Sequence, residues 1–188
     1  VVTINGTNDA AVISAGTGSV TEDVGVVGGN IATGGTLTIS DADSGEASFT
    51  AQTTAGTYGS FTLGTNGVWT YTALNANPAI QALGTGDTLT ETFTVTSADG
   101  TTSSVAVTIN GTNDAAVISA GTGSVTEDVA VNGGNIATGG TLTISDADSG
   151  EASFTPQTTA GTYGSFTLGA NGVWTYVAAN SNPAIQAL

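Results

Sequence analysis

Thr88-Leu89-Thr90-Glu91-Thr92-Phe93-Thr94-Val95-Thr96 alternates threonine with a second, mostly large apolar, residue along its whole length. Period two puts successive side chains on opposite faces of a β-strand. Threonine takes the solvent face, and Leu89, Phe93 and Val95 take the buried one. Working outward, Asp99-Gly100 is a strong hairpin dipeptide, and Val105-Ala106-Val107-Thr108-Ile109 resumes the pattern beyond it. Thr36-Leu37-Thr38-Ile39 reads the same way, and Asn66-Gly67 marks another hairpin. Glu91 is the exception, because its parity matches Leu89, Phe93 and Val95. A lone inward carboxylate is costly without hydrogen bonds. The pattern predicts either a β-bulge that turns Glu91 out or hydrogen bonds to backbone near residues 77–83.

Strands are expected near 12–21 and over 35–40, 47–53, 57–63, 68–73, 88–97 and 101–109. One short helix is expected where Asn77 can cap, Pro78 suits the first turn and Gly84 can terminate. Seven short strands in about 100 residues predict an all-β immunoglobulin-like or cadherin-like sandwich with one short helix. Trp69 and Tyr71 share a strand face and would stack on sugars if exposed. Packing in the core is the favoured reading for both.

The chain repeats itself. Val2-Thr3-Ile4-Asn5-Gly6-Thr7-Asn8-Asp9 returns at Val107–Asp114, a period of 105 residues. Aligning 1–83 on 106–188 leaves eight differences. A period this long is a whole domain, not a solenoid unit. The expected organisation is 1–4 as the tail of a preceding repeat, 5–109 as a complete sandwich and 110–115 as a linker. Residues 116–188 are then a second repeat without counterparts of the last two strands. Tandem sandwiches joined end to end follow.

There is no Lys, Arg, His or Cys, and the net charge is −15. No basic footprint exists for nucleic acid, and anionic membranes would repel the chain. No stretch is apolar enough for direct membrane insertion. Without His, Cys or Lys the usual bases and nucleophiles are missing, so no enzyme activity is expected.

Tracing the strands up and down sorts the acids into two poles. Glu22, Asp23 and Asp87 fall at the bottom of the first repeat. Asp41, Asp43 and Asp99 fall at its top, with Asn8 and Asp9 entering there. Stacking repeats would set Glu22, Asp23 and Asp87 against Asp146 and Asp148, with Asn113 and Asp114 running between them. Glu127 and Asp128 repeat the lower pole. Like charges at ~4 Å repel by about 1 kcal/mol per pair even in water. A hard cation relieves this, and calcium takes carboxylate and carbonyl oxygens with tolerant geometry. Zinc or copper would be expected to recruit His or Cys. Asp-x-Asp-x-Gly also forms plain turns. The convergence of loops and linker on one junction favours calcium.

Several runs resemble the VCBS repeat, a bacterial cadherin-like domain. They are Gly35-Thr36-Leu37-Thr38-Ile39-Ser40-Asp41-Ala42-Asp43, Gly56-Thr57-Tyr58-Gly59-Ser60-Phe61, Asn66-Gly67-Val68-Trp69-Thr70-Tyr71, Phe93-Thr94-Val95-Thr96-Ser97-Ala98-Asp99-Gly100 and Ile109-Asn110-Gly111-Thr112-Asn113-Asp114-Ala115. The resemblance implies long arrays in giant secreted RTX-type adhesins, β-sandwiches and calcium at domain junctions. It would place Glu22, Asn113-Asp114 and the Asp146/Asp148 pair in one coordination sphere. Many family linkers continue Asn-Asp-Ala-Pro, whereas Ala11 and Ala116 stand here.

The expected function is an extracellular extender repeat at a bacterial cell surface, contacting neighbouring repeats of its own chain. The alternative is a module of a filament, sheath or surface layer that contacts other copies. A carbohydrate-binding module is the third reading.

Overall fold

Thr88–Thr96 and Thr102–Asn110 form the antiparallel hairpin that the alternation predicts, with Glu91 opposite Val107 and Phe93 opposite Val105. The computed structural model describes residues 1–188, which divide into two units, Val1–Asn113 and Asp114–Leu188.

In the first unit the strands are β1 (Val12–Ile13), β2 (Gly16–Thr21), β3 (Asn30–Thr36), β4 (Ile39–Ser40), β5 (Gln52–Ala55), β6 (Gly59–Leu63), β7 (Val68–Leu74), β8 (Thr88–Thr96) and β9 (Thr102–Asn110). One sheet runs β3-β7-β6-β5 and the facing sheet runs β2-β9-β8. β2 pairs with β9 in parallel, while β1 pairs separately with β4. This change of partner splits the single strand expected near 12–21.

The inner faces meet in one core. Phe61 lies 4.8 Å from Phe93 and 5.9 Å from Trp69, ring centre to ring centre. Phe61, Tyr71, Val95, Val105, Val107 and Ile109 are fully buried. Burying each large apolar side chain contributes roughly 1.5–3 kcal/mol. Trp69 is 2% exposed, so neither face of its ring is open to a sugar.

β3 begins at Asn30, five residues before the expected strand. Gly34 falls outside the expected strand, which starts at Gly35, yet a Cβ on Gly34 would lie 2.6 Å from the Trp69 carbonyl oxygen. Glycine here serves close approach, not a turn. The expected 47–53 strand overlaps β5 only at 52–53; residues 47–51 contribute a single bridge, between Phe49 and Ser97.

Glu91 points inward on a regular ladder, without a bulge. Its Oε1 accepts from the Thr57 and Tyr58 N–H groups, and its Oε2 accepts from the Tyr71 hydroxyl at 2.5 Å. The partners are therefore the β5–β6 turn and Tyr71, not backbone near 77–83. The tie joins one sheet to the other, which strand parity alone could not locate.

The helix α1 (Pro78–Gln81) follows Asn77, whose side chain accepts from the Ala79 N–H at 3.0 Å. Ile80 plugs the lower end of the core.

The second unit contains β10 (Val117–Ile118), β11 (Asn135–Thr141), β12 (Ile144–Ser145), β13 (Gln157–Ala160), β14 (Gly164–Leu168) and β15 (Val173–Ala179). Its sheet order β11-β15-β14-β13 reproduces that of the first unit, and β10 pairs with β12. The counterpart of the helix forms turns, with the Asn182 cap kept at 3.0 Å from the Ala184 N–H. The expectation of one helix per repeat therefore holds only for the first unit. Residues 121–126 belong to no strand.

Candidate metal centre

At the upper pole β4 delivers Asp41-Ala42-Asp43-Ser44-Gly45-Glu46. The Asp43 N–H donates to Asp41 Oδ1 at 2.8 Å, closing a tight turn. Gly45 then takes φ +92°, a conformation that side-chain-bearing residues rarely adopt. The chain turns back, and one oxygen each from Asp41, Asp43 and Glu46 come within 4.8 Å of one another. Glu46 is held above the usual carboxylate range, by burial first and then by the charges of Asp43, Asp41 and Asp99. Asp41 Oδ2 and Glu46 Oε2 are shielded from solvent and accept no hydrogen bond. Buried carboxylate oxygens without partners are costly, and no cationic side chain exists anywhere in the chain.

Two further acids border this turn. The Asp9 N–H donates to Asp43 Oδ2 at 2.7 Å, fastening the incoming segment. Asp99 accepts from the Ser97 hydroxyl, from the Ala11 N–H at 2.9 Å and from the Thr101 hydroxyl at 2.7 Å. These donors, Ser97 foremost, hold its carboxyl far below the usual range. Asn8 makes only a local contact, from its amide to the Asp9 carbonyl at 3.0 Å.

The second unit rebuilds the turn. The Asp148 N–H donates to Asp146 Oδ1 at 3.0 Å, and the Asp114 N–H donates to Asp148 Oδ2 at 2.8 Å. Asp148 is 3% exposed, and its Oδ1 accepts no hydrogen bond.

The lower pole is organised differently. Glu22 is fully buried, and its Oε1 accepts from the Thr112 N–H at 2.8 Å. Gln81 Nε2 lies 3.4 Å from both Glu22 Oε2 and Asp23 Oδ1. Asp23 stands at φ +57° and exchanges two bonds with Asn75, receiving its amide at 2.6 Å and donating its own N–H at 2.9 Å. Neutral amides thus take the place that lysine or arginine would hold elsewhere. Asp128 repeats this with Asn180 at 2.8 Å and Gln186 at 3.3 Å, and these bonds, Asn180 first, lower its carboxyl. Glu127 Oε2 is shielded and accepts no hydrogen bond. Asp87 is exposed, and its backbone ties Gly84 to Gly111.

The expected acids Asp9, Asp41, Asp43 and Asp99 therefore gather at one pole, and Glu22 and Asp23 at the other. Three contributors are absent from the expected ligand set, although Glu46 closes the Asp41–Glu46 loop that the sequence marks as a calcium candidate. Glu46 was legible as an acid directly behind the φ-positive Gly45. Asn75 and Gln81 carry no charge signal, and only the fold brings them to Asp23. The donor set is all oxygen, with shielded and unsatisfied carboxylates, and it fits a hard divalent cation.

No curated protein matches the chain. A solved structure titled "Protocadherin gammaB7 EC3-6 cis-dimer structure" aligns with a TM-score of 0.47 and 18% identity. The alignment covers 90% of this chain, which spans 39% of the protocadherin chain. Residues 8–111 and 113–187 each match the family model of the bacterial cadherin-like domain, and the chain belongs to that family, carrying the domain twice in tandem.

Proposed function

We propose that these repeats are structural extenders of a large secreted bacterial surface adhesin of the VCBS type, stiffened by calcium where one repeat meets the next. The observation that carries this reading is the pair of shielded, unpartnered oxygens on Asp41 and Glu46. They lie in a chain with 15 acids and no Lys, Arg or His. Oxygens in that state attract a divalent cation, because the chain supplies no cationic side chain to meet them.

The proposed ligands come from Glu22, Asp23, Asp87, Asn113, Asp114, Asp146 and Asp148. Asn8, Asp9, Asp41, Asp43 and Asp99 would serve the preceding junction, and Glu127 and Asp128 the following one. The amides of Asn75 and Gln81 hold Asp23 in place meanwhile, so the lower pole is preformed. The role is mechanical: each sandwich folds around its own core, and the cation fixes the angle of a linker with few apolar residues. At a hundredfold excess over its dissociation constant the ion adds about 2.7 kcal/mol. Extracellular calcium modules bind at roughly 10⁻⁴–10⁻³ M.

Small-angle scattering with millimolar calcium and with EDTA tests the reading. The maximum dimension should fall on chelation while the strand content stays. No calorimetric binding at millimolar calcium rejects it.

One observation favours lateral assembly as a second reading. The outward face of β3-β7-β6-β5 carries Thr53, Thr62, Val68, Thr70, Thr72 and Leu74, with no charge. Sedimentation in calcium at rising concentration decides it, and a monomer throughout excludes a filament or layer built on this face.

A further inference from the structure

Asparagine is followed by glycine five times, at Asn5, Asn66, Asn110, Asn132 and Asn171. In such a pair the glycine nitrogen can attack the asparagine side chain, because glycine has no Cβ to shield it. The attack needs an N–H without other bonds and a side chain free to turn. Three of the pairs are held on both counts. The Gly67, Gly111 and Gly172 N–H groups donate to the carbonyls of Gly64, Asp87 and Gly169, each at 3.0 Å. Asn66 and Asn171 accept from the Val68 and Val173 N–H groups at 3.1 Å, and the Asn110 amide donates to the Val20 carbonyl at 2.9 Å. Asn5-Gly6 lies outside every strand.

Asn132 stands at the turn that leads into β11. Asn132 and Asn135 exchange backbone bonds at 2.9 and 3.0 Å. Gly133 and Gly134 between them take φ +56° and +82°, the two positive angles that a tight hairpin turn requires. The Gly133 N–H has no acceptor, and the Asn132 side chain is exposed and makes no hydrogen bond. The first unit builds the same turn, with Val27 and Asn30 exchanging bonds at 2.9 and 3.1 Å and Val27 78% exposed. Exposure therefore belongs to the turn itself. Valine offers no amide to react, and this position is one of the eight that differ between the repeats.

We propose that Asn132-Gly133 is a site of spontaneous modification, where the asparagine becomes aspartate or isoaspartate. The Gly133 nitrogen bonds to Asn132 Cγ and gives up its proton. The bond from Cγ to Nδ2 breaks, and ammonia leaves. Water then opens the cyclic imide. Cleavage between the nitrogen and Cγ yields aspartate. Cleavage between the nitrogen and the backbone carbonyl carbon yields isoaspartate, whose chain runs on through Cγ. No oxidant or enzyme takes part. Either product adds a negative charge, and isoaspartate also adds a backbone atom within the turn. The Gly134 carbonyl accepts from the Asn180 N–H at 2.9 Å, and Asn180 holds Asp128 at 2.8 Å. The modification thus acts on the loop that carries Asp128, and only in the repeat with asparagine at this position.

The test is to age the 188-residue chain in mildly alkaline buffer and to map its peptides by mass, with Asn5-Gly6 as the unrestrained reference. Asn132 should convert at least about tenfold faster than Asn66, Asn110 and Asn171, a factor equal to about 1.4 kcal/mol of local opening at each bonded pair. Labelling by an isoaspartyl methyltransferase should find isoaspartate at Asn132. Val27→Asn should make the turn of the first unit reactive at a comparable rate, since the two turns share their bonds and their exposure. Conversion of Asn132 no faster than that of the three bonded pairs overturns the proposal. So does conversion without isoaspartate, because the imide would then play no part. An inert Val27→Asn chain overturns it as well, because the turn would not be what makes the pair reactive.

Discussion

Replacing Glu91 with alanine removes the acceptor of three donors at once: the Thr57 and Tyr58 N–H groups and the Tyr71 hydroxyl. The two backbone donors lie on a turn where Thr57 is exposed, and water can reach them. Tyr71 is 0% exposed, and its hydroxyl would be stranded. An unpaired buried donor costs about 1–3 kcal/mol, and each hydrogen bond to a charged group contributes about 1.5–3 kcal/mol. Not all three bonds count fully, so Glu91→Ala should cost about 3–5 kcal/mol, a large share of the roughly 5–15 kcal/mol that holds a domain together. Glu91→Gln keeps an acceptor for the N–H pair and can donate to the Tyr71 oxygen, so it should cost about 1 kcal/mol. In the double variant Glu91→Ala with Tyr71→Phe, no hydroxyl is stranded. Its cost should fall short of the sum of the singles by about 1–2 kcal/mol. Urea unfolding followed by Trp69 emission in a Trp174→Phe background measures all four. The reasoning fails if Glu91→Ala costs no more than Thr90→Ala on the opposite face, or if the double variant is additive. The same network predicts an alkaline limit. Burial first, and then the Glu91 bond, push the Tyr71 hydroxyl up from its ordinary value. The folded state therefore holds this proton more tightly than the unfolded state. Stability is intact below the unfolded tyrosine value of about 10 and should decline above it, by up to about 1.4 kcal/mol per pH unit. Tyr71→Phe should remove that decline.

Two further outcomes are expected. Gly18→Ala would place a Cβ 2.6 Å from Trp69 Cη2 and 3.0 Å from Thr33 Cγ2. It should cost about 1–3 kcal/mol, and calorimetry should show the first unit melting several degrees lower, since about 1 kcal/mol moves a domain of this size by 4–8 °C; an unchanged transition would contradict the packing described. Asp41→Asn with Glu46→Gln removes charge from the upper turn while keeping its shape. Calcium titration should weaken at least about tenfold, whereas Thr53→Ala on the outer face should leave the affinity as it was.

Much of the fold was legible because strand parity is local. The alternation in Thr88–Thr96 and in 105–109, the Asn66-Gly67 and Asp99-Gly100 turns and the Asn77-Pro78 cap each specify their own conformation with little help from elsewhere. The site was legible in part for the same reason. Asp41-Ala42-Asp43-Ser44-Gly45 closes a turn by its own hydrogen bond, so its carboxylates converge wherever the loop sits. β3 was less legible, because nothing local carries the strand back from Gly35 through Gly34 to Asn30 until the Trp69 backbone is seen against it.

The sequence by itself determined the repeat, the all-β class, the absence of any cation to neutralise 15 acids, and the inward parity of Glu91. Only the tertiary structure decided which groups answer that charge. Parity says that Glu91 faces the core, but the tie to Thr57 and Tyr71 spans 34 and 20 residues and exists only once two sheets face each other. Asn75 reaches Asp23 across 52 residues, and Asp99 reaches Ala11 across 88. Local propensity acts over a few residues of chain. Hydrogen bonds that neutralise or orient a carboxylate act over a few ångströms of space, and folding is what converts one distance into the other.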